Sequence, residues 1–155
     1  MVYYFFAMPR EADNINADNK FVIGINATDV PSTTEDDTIV NIGYCGAYGV
    51  PVGSIIEPSE VYEIYTGNSA KVDRLFDCED IVCFTSDEFV TEPAVNYRSI
   101  YDMELYKLAQ LPHKKLHALK IVSDNLDEAA CERYNDKAAW EKIQSILERF
   151  NNEII

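Results

Sequence analysis

Thr38-Ile39-Val40-Asn41-Ile42-Gly43-Tyr44-Cys45-Gly46-Ala47 is the stretch that decides the fold. Its first half, Thr38 to Ile42, is short, mostly apolar and β-branched, and it runs straight into a glycine-bearing bend. Such a run reads as a strand buried on both faces, the kind that builds a mainly parallel sheet covered by helices. The same reading applies outward along the chain to Val2 to Ala7, Phe21 to Ile25, Val61 to Tyr65, Ile81 to Thr85 and Ala118 to Val122. Two segments carry apolar residues at helical spacing. Asp102 to Leu111 does so with Leu105, Leu108 and Ala109, and Lys137 to Phe150 with Trp140, Ile143, Leu147 and Phe150. The second is expected to cap the core. Asn26 to Asp37, dense in Asn, Asp, Thr, Ser and Pro, reads as a loop. There is no repeat, low-complexity tract or Gly/Ser-rich linker, so residues 1–155 are expected to form a single α/β domain. Its sheet is expected to be mixed, mainly parallel and flanked by helices.

Composition narrows the function. With 47% apolar residues, 155 residues suffice to bury a core without covalent staples. The 27 acidic against 13 basic residues give a formal net charge of -14, which opposes phosphate backbones and anionic membranes, so no nucleic acid and no membrane partner is expected. No apolar run is long enough to span a bilayer, and the opening Met-Val-Tyr-Tyr-Phe-Phe lacks the basic flank of a signal peptide. A cytoplasmic protein is expected. Cys45, Cys78, Cys83 and Cys131 lack the paired spacing of a zinc site and read as reduced and mostly packed. His113 and His117 stand one helical turn apart but without the intervening Glu of a metalloprotease motif, so no metal is expected.

Four strands run directly into polar or glycine clusters: Met8-Pro9-Arg10-Glu11, Gly43 to Ala47, Ser86-Asp87-Glu88-Phe89 and Ser123-Asp124-Asn125. In open α/β sheets ligands sit beyond the carboxyl ends of strands, so these clusters are candidates to converge. Each has a plainer explanation. Pro9 and Glu11 fit the first turn of a helix. Ser123-Asp124-Asn125 suits a turn, the glycines a tight bend, and Glu104 a solvated helix start, while Met103 and Phe89 suit core packing.

Taken in order, Asn41 to Ala47, Phe84 to Phe89, Asp102-Met103-Glu104 and Ile121-Val122-Ser123-Asp124 resemble the nucleoside phosphorylase and nucleosidase family. Ala7-Met8-Pro9-Arg10-Glu11 resembles its nucleosidase branch. The resemblance implies a shortened form of that fold, a purine nucleoside or base as ligand, no cofactor, and a homo-oligomer. It also implies roles. Asp124 would be the acid meeting N7 of the departing purine, beside Ser123, and Glu11 would activate water. Glu104 would accept hydrogen bonds from the ribose hydroxyls, with Met103 lining the sugar face. Phe89 would stack on the base with Val90 contributing backbone groups beside it, and Met8, Cys45, Gly46 and Ser123 would also contact the substrate. Cleaving an N-glycosidic bond passes through an oxocarbenium-like state, and these residue types supply what such a state needs: a proton for the leaving base, an anchor for the sugar and a base for the nucleophile.

The chain departs from the family in two places. Glu11 to Gly43 is shorter, and Tyr44 replaces the serine that usually follows the first glycine of that block. Arg10 is the only arginine within the matched blocks, too few for phosphorolysis, so hydrolysis is the preferred reaction. A phosphate-dependent phosphorylase, and a relative that binds a nucleoside or assembles without catalysis, remain the alternatives.

Overall fold

The computed structural model describes residues 1–76 and 79–155; Cys78, expected to be reduced and packed, lies outside the described residues. Chain order runs β1 (Val2–Phe6), α1 (Pro9–Ala12), β2 (Lys20–Val22), a 3-10 turn (Ile25–Ala27) and β3 (Thr38–Tyr48). Then come β4 (Ile55–Ile56), β5 (Glu60–Glu63), β6 (Ser69–Lys71), β7 (Val82–Thr85), β8 (Ser99–Asp102) and α2 (Leu105–Ala109). The chain closes with β9 (Lys115–Asp124), α3 (Glu128–Arg133), α4 (Lys137–Arg149) and α5 (Asn151–Ile154). Among the described residues the strands form one mixed sheet in the order β2-β1-β3-β8-β7-β5-β6, with β9 on β3 and β4 on β9.

Every run read as a strand from sequence overlaps one, but β2 stops at Val22, β5 stops at Glu63, β3 continues six residues beyond Ile42 to Tyr48, and β9 is longer at both ends, from Lys115 to Asp124. Three short strands, β4, β6 and β8, escape the sequence reading. One expectation is corrected by β8. Asp102, read as the start of a helix, ends a strand paired in register with Thr85 of β7, and the helix begins only at Leu105. The Asn26 to Asp37 loop is irregular apart from its first two residues, which close the 3-10 turn.

Side chains alternate across β3 and β9, so each strand feeds two cores. Ile39, Cys45, Ala47, Leu116, Ala118 and Val122 face one, shared with Phe5, Ile100 and Leu105. Val40, Ile42, Leu119 and Ile121 face the other, where α4 lays down Trp140, Ile143 and Leu147. That helix is capped by Asp136, whose carboxylate accepts from the Ala139 amide at 3.1 Å. Its anchor is Trp140, which donates through Nε1 to the Tyr44 hydroxyl at 2.8 Å. No helix of the described residues is long and apolar enough to cross a membrane.

Register explains where a site can open. β9 runs parallel to β3 from Thr38↔Lys115 to Cys45↔Val122 and occupies one edge of it. The other edge is divided. β1 pairs with it in parallel as far as Phe5↔Asn41, and β8 takes over in antiparallel sense from Gly46↔Tyr101. Two strands therefore point their carboxyl ends at each other across an unpaired interval of β3, residues 42–45. Whatever follows them, Met8 to Glu11 on one side and Met103-Glu104 on the other, is delivered to the same place.

Candidate active site

An unpaired strand edge leaves backbone donors that need acceptors. The Tyr44 amide, midway along the gap, donates to Glu11 Oε2 at 2.8 Å, and the Met8 amide donates to Glu11 Oε1 at 3.0 Å. Glu11 is thus held by both carboxylate oxygens on the first turn after β1. It can lie that close only because residue 43 has no side chain: a Cβ there would come within 2.7 Å of Glu11 Oε2. Gly46 does the same for Asp124, since a Cβ at Gly46 would meet Asp124 Oδ2 at 3.1 Å. A register shift after Cys45↔Val122 leaves Ser123 as the extra residue and brings Asp124 opposite Gly46. The two glycines of the strand-end block each seat a carboxylate.

Lys120 lies opposite Gly43 on β9, fully buried, with Nζ 3.0 Å from Asp102 Oδ2. Burial pushes its pKa down, but the carboxylates of Asp102 and Glu104 hold it above the ordinary lysine value. Asp102 is the reciprocal case. Burial pushes its carboxyl up, and Lys120 together with donors from Thr85 Oγ1 at 2.6 Å and the Leu105 amide at 2.9 Å hold it below the usual carboxylate range. Glu104 accepts from the Asn26 amide at 3.0 Å. Its pKa rises to about 7, through burial first and then the Asp102 charge, against the pull of Lys120. Glu11 is also raised by burial, opposed by the Tyr44 and Met8 amides and by Lys120. One ammonium therefore lies among three buried carboxyls whose pKa values are pushed in different directions, Asp102 down and Glu11 and Glu104 up, a pattern met at acid–base sites.

Above this group lies a cavity of about 460 Å³, within the range of small-ligand sites. Of the residues singled out from sequence, Met8, Glu11, Cys45, Gly46, Phe89, Met103 and Glu104 line it. Val90 lines a recess of about 30 Å³ whose walls include Gly46, Phe89 and Met103 of the main cavity. Ser123 and Asp124 stand outside the lining. Asp124 is 1% exposed and lies against Gly46; its Oδ1 accepts from Ser123 Oγ at 2.7 Å and its Oδ2 from the Leu126 and Asp127 amides at 2.9 and 3.1 Å. Ser123 and Asp124 instead line an open groove with Arg133 and Tyr134.

Tyr44 lines the cavity, but its hydroxyl turns to Trp140 and its ring meets Trp140 and Tyr134 edge-on. The Arg10 guanidinium lies 4.9 Å over that ring and donates to the Tyr134 carbonyl. Among the described residues it is the only cation on the cavity wall, facing Glu88, Glu128 and Glu132. Sequence reasoning missed Lys120, Asn26 and the charge role of Asp102. For Lys120 a signal existed: it is the one charged residue inside the apolar run Ala118 to Val122. Asn26 contributes a backbone amide, which no residue type announces. His117 is buried on β9 with Nδ1 against the Asp73 carbonyl at 2.6 Å, and His113 precedes the strand, so the helical spacing between them does not arise. Cys45 and Cys83 are buried free thiols, and Cys131 is a half-buried one on the cavity wall.

No protein-family model matches the chain, and no characterised sequence does. Solved structures do. An MTAN from Chlamydia trachomatis bound to MTA superposes with a TM-score of 0.75 at 17% identity, covering 99% of this chain and 98% of that one. A putative 5'-methylthioadenosine/S-adenosylhomocysteine nucleosidase from Borrelia burgdorferi bound to adenine gives 0.72 at 16%, covering 96% and 99%. A Helicobacter pylori MTAN mutant with 5'-methylthioadenosine in its active site gives 0.70 at 13%, covering 98% of each chain. The chain therefore has the nucleosidase fold over nearly its whole length, as the sequence blocks imply. At these identities the likeness extends to the fold and no further.

Glu104 supplies a test that stands on the site's electrostatics alone. A carboxyl whose pKa is about 7 in the folded state and 4.5 as the ordinary value binds its proton more tightly when folded. Its stabilising contribution is complete below about pH 4.5 and is lost as pH rises through 7. Chemical denaturation at pH 5 and pH 8 is expected to show Glu104→Gln gaining stability relative to the unsubstituted protein at the higher pH. A difference that does not change with pH would show that Glu104 is not held in this way.

Proposed function

We propose that the protein hydrolyses the N-glycosidic bond of a purine nucleoside. The observation that carries this is the delivery of Glu11 and Glu104 to one cavity from opposite strand ends, over a buried lysine, in a fold shared with nucleosidases whose structures hold MTA or adenine. Glu104 accepts from the ribose 2' and 3' hydroxyls, a task for an ionised carboxylate with a free oxygen. Met103 and Met8 close the apolar side of the sugar, and Phe89 stacks on the base, with Val90 beside it and Cys45 and Gly46 forming the wall. As the bond from C1' to N9 breaks, its electron pair leaves with the purine, and Asp124, oriented by Ser123, supplies a proton at N7. Water bonds to C1' and yields its proton to Glu11, whose raised pKa suits a general base. The products are a free base and a ribosyl sugar.

Arg10, occupied by the Tyr44 ring and the Tyr134 carbonyl, faces an acidic wall, which favours water over phosphate as nucleophile. A second reading, a nucleoside-binding protein without catalysis, is favoured by one observation: Asp124 does not line the cavity. The functional form is taken to be a cytoplasmic homo-oligomer of this one domain, in which a second copy covers Ile25, an apolar cavity-wall residue left 49% exposed. Sedimentation showing a monomer at micromolar concentration would remove that part.

Incubation with 5'-methylthioadenosine in phosphate-free buffer, followed by chromatography, is expected to release adenine. Glu11→Gln and Asp124→Asn should each slow release by about 10²–10⁴-fold without unfolding the protein. Binding of the nucleoside with no release by the unsubstituted protein would favour the second reading. Release of ribosyl phosphate only when phosphate is added would establish phosphorolysis instead.

A further inference from the structure

Two segments outside the strands wall the cavity: the turn Gly24 to Thr28, which presents Ile25, and the loop Ser86 to Phe89, which presents Glu88 and Phe89. The turn does not follow its own backbone preferences. Asn26 and Ala27 have φ of +68° and +54°, in the left-handed region, which an asparagine tolerates and the Cβ of an alanine disfavours. Asn26 Oδ1 is also buried without a hydrogen-bond partner among the described residues. Such a turn keeps its shape only where its surroundings fix it. Helix α2 fixes it at both ends of one residue: the Asn26 amide donates to Glu104 Oε2 at 3.0 Å, and the Asn26 carbonyl accepts from Lys107 Nζ at 3.3 Å. The same ammonium reaches the loop on the other wall, 2.7 Å from Asp87 Oδ1. A lysine in the last turn of a helix is favourable there through the helix dipole alone. An ion pair whose members are 35% and 62% exposed also contributes little to stability. The weight of this one lies in what it joins.

We propose that Lys107 is a positioning residue for the nucleoside: by holding Asn26 and Asp87 on one ammonium, it sets the sugar anchor Glu104 and the stacking ring of Phe89 in place relative to each other. The inference rests on the nucleosidase reading and deepens it. The Asn26 amide occupies one oxygen of Glu104 and leaves the other for the ribose. It also draws the carboxyl's pKa down, together with Lys120 and against burial, Asp102 and Glu11. Without Lys107 the turn relaxes toward ordinary backbone angles, its amide leaves Glu104, and the carboxyl keeps its proton to higher pH. A protonated Glu104 presents a donor where the ribose hydroxyls need an acceptor. Phe89, two residues from Asp87, loses the tie between its loop and α2, and only the Tyr65 hydroxyl, which accepts from the Asp87 amide at 3.2 Å, still holds that residue.

Steady-state release of adenine from 5'-methylthioadenosine, followed between about pH 6 and 9, tests this on the full chain and on Lys107→Met, Lys107→Arg and Asp87→Ala. Methionine keeps the stem of Lys107 and removes the ammonium. It is expected to raise KM about tenfold with kcat within about threefold, the pattern of binding lost equally from ground and transition states. The rising limb of kcat/KM, which reports groups of the free enzyme, should move to higher pH in the same variant. Arginine offers donors to both acceptors and should bring KM back to within about threefold and return the limb. Asp87→Ala alters an exposed side chain and cuts only the tie to the Phe89 loop, so KM should rise while the limb stays. Unchanged KM in Lys107→Met and Asp87→Ala, or a defect that arginine does not relieve and no shift of the limb accompanies, would overturn the role of Lys107 and leave the nucleosidase reading standing. No release of adenine by the unsubstituted protein would overturn both.

Discussion

Lys120 is an ammonium with almost no contact with water, placed on the central strand pair of the sheet. Removing a charge from water costs several kcal/mol even after the protein relaxes, and only close opposite charge and hydrogen bonds offset it. Asp102 at 3.0 Å supplies the first of these, and Asp102 is in turn fixed by Thr85 and the Leu105 amide. Such a pair is weak as a source of net stability, and a hydrophobic pair of the same volume would pack at least as well. Its consequence is positional and electrostatic. With Lys120 in place, Glu11 and Glu104 can be buried near each other, one bound to the unpaired edge of β3 and the other to the Asn26 amide.

The sheet makes room for that arrangement through an incomplete pairing. Because β1 leaves the edge of β3 at Asn41 and β8 joins it at Gly46, the interval between them has backbone to satisfy and space to fill. Glu11 satisfies the backbone and the cavity occupies the space. The two glycines act through close approach rather than through a turn: a Cβ at 43 would meet Glu11 Oε2 at 2.7 Å, and one at 46 would crowd Asp124 Oδ2 at 3.1 Å. The same interval places the apolar residues Met8, Phe89 and Met103 around the buried charges, an amphipathic enclosure suited to a flat aromatic base joined to a hydroxylated sugar.

Much of this was legible in the sequence, and the reasons are specific. The long buried strands β3 and β9 announced themselves by apolar, β-branched runs, and Lys137 to Phe150 by helical spacing that α4 reproduces to within a residue. Seven of the ten site residues named from the order of blocks line one cavity, because those blocks sit at strand ends and the register brings the ends together. What was not legible depends on pairing between distant segments. β8 is four residues long, and its strand character comes from β3 and β7 rather than from its own composition, so Asp102 looked like a helix start. That Asp124 lies outside the cavity goes with the turn that follows it, in which the Leu126 and Asp127 amides donate to its carboxylate, and a backbone amide is announced by no residue type.

The central claim is that Glu11 and Glu104 face one bound nucleoside from opposite sides of its sugar. A crystal structure of the Glu11→Gln variant with 5'-methylthioadenosine tests it most directly. The account predicts the ribose hydroxyls within hydrogen-bond distance of Glu104, about 2.5–3.0 Å, and residue 11 across the sugar ring near C1'. A nucleoside seated elsewhere, or a cavity that stays empty while Glu104 keeps only its Asn26 partner, would contradict it.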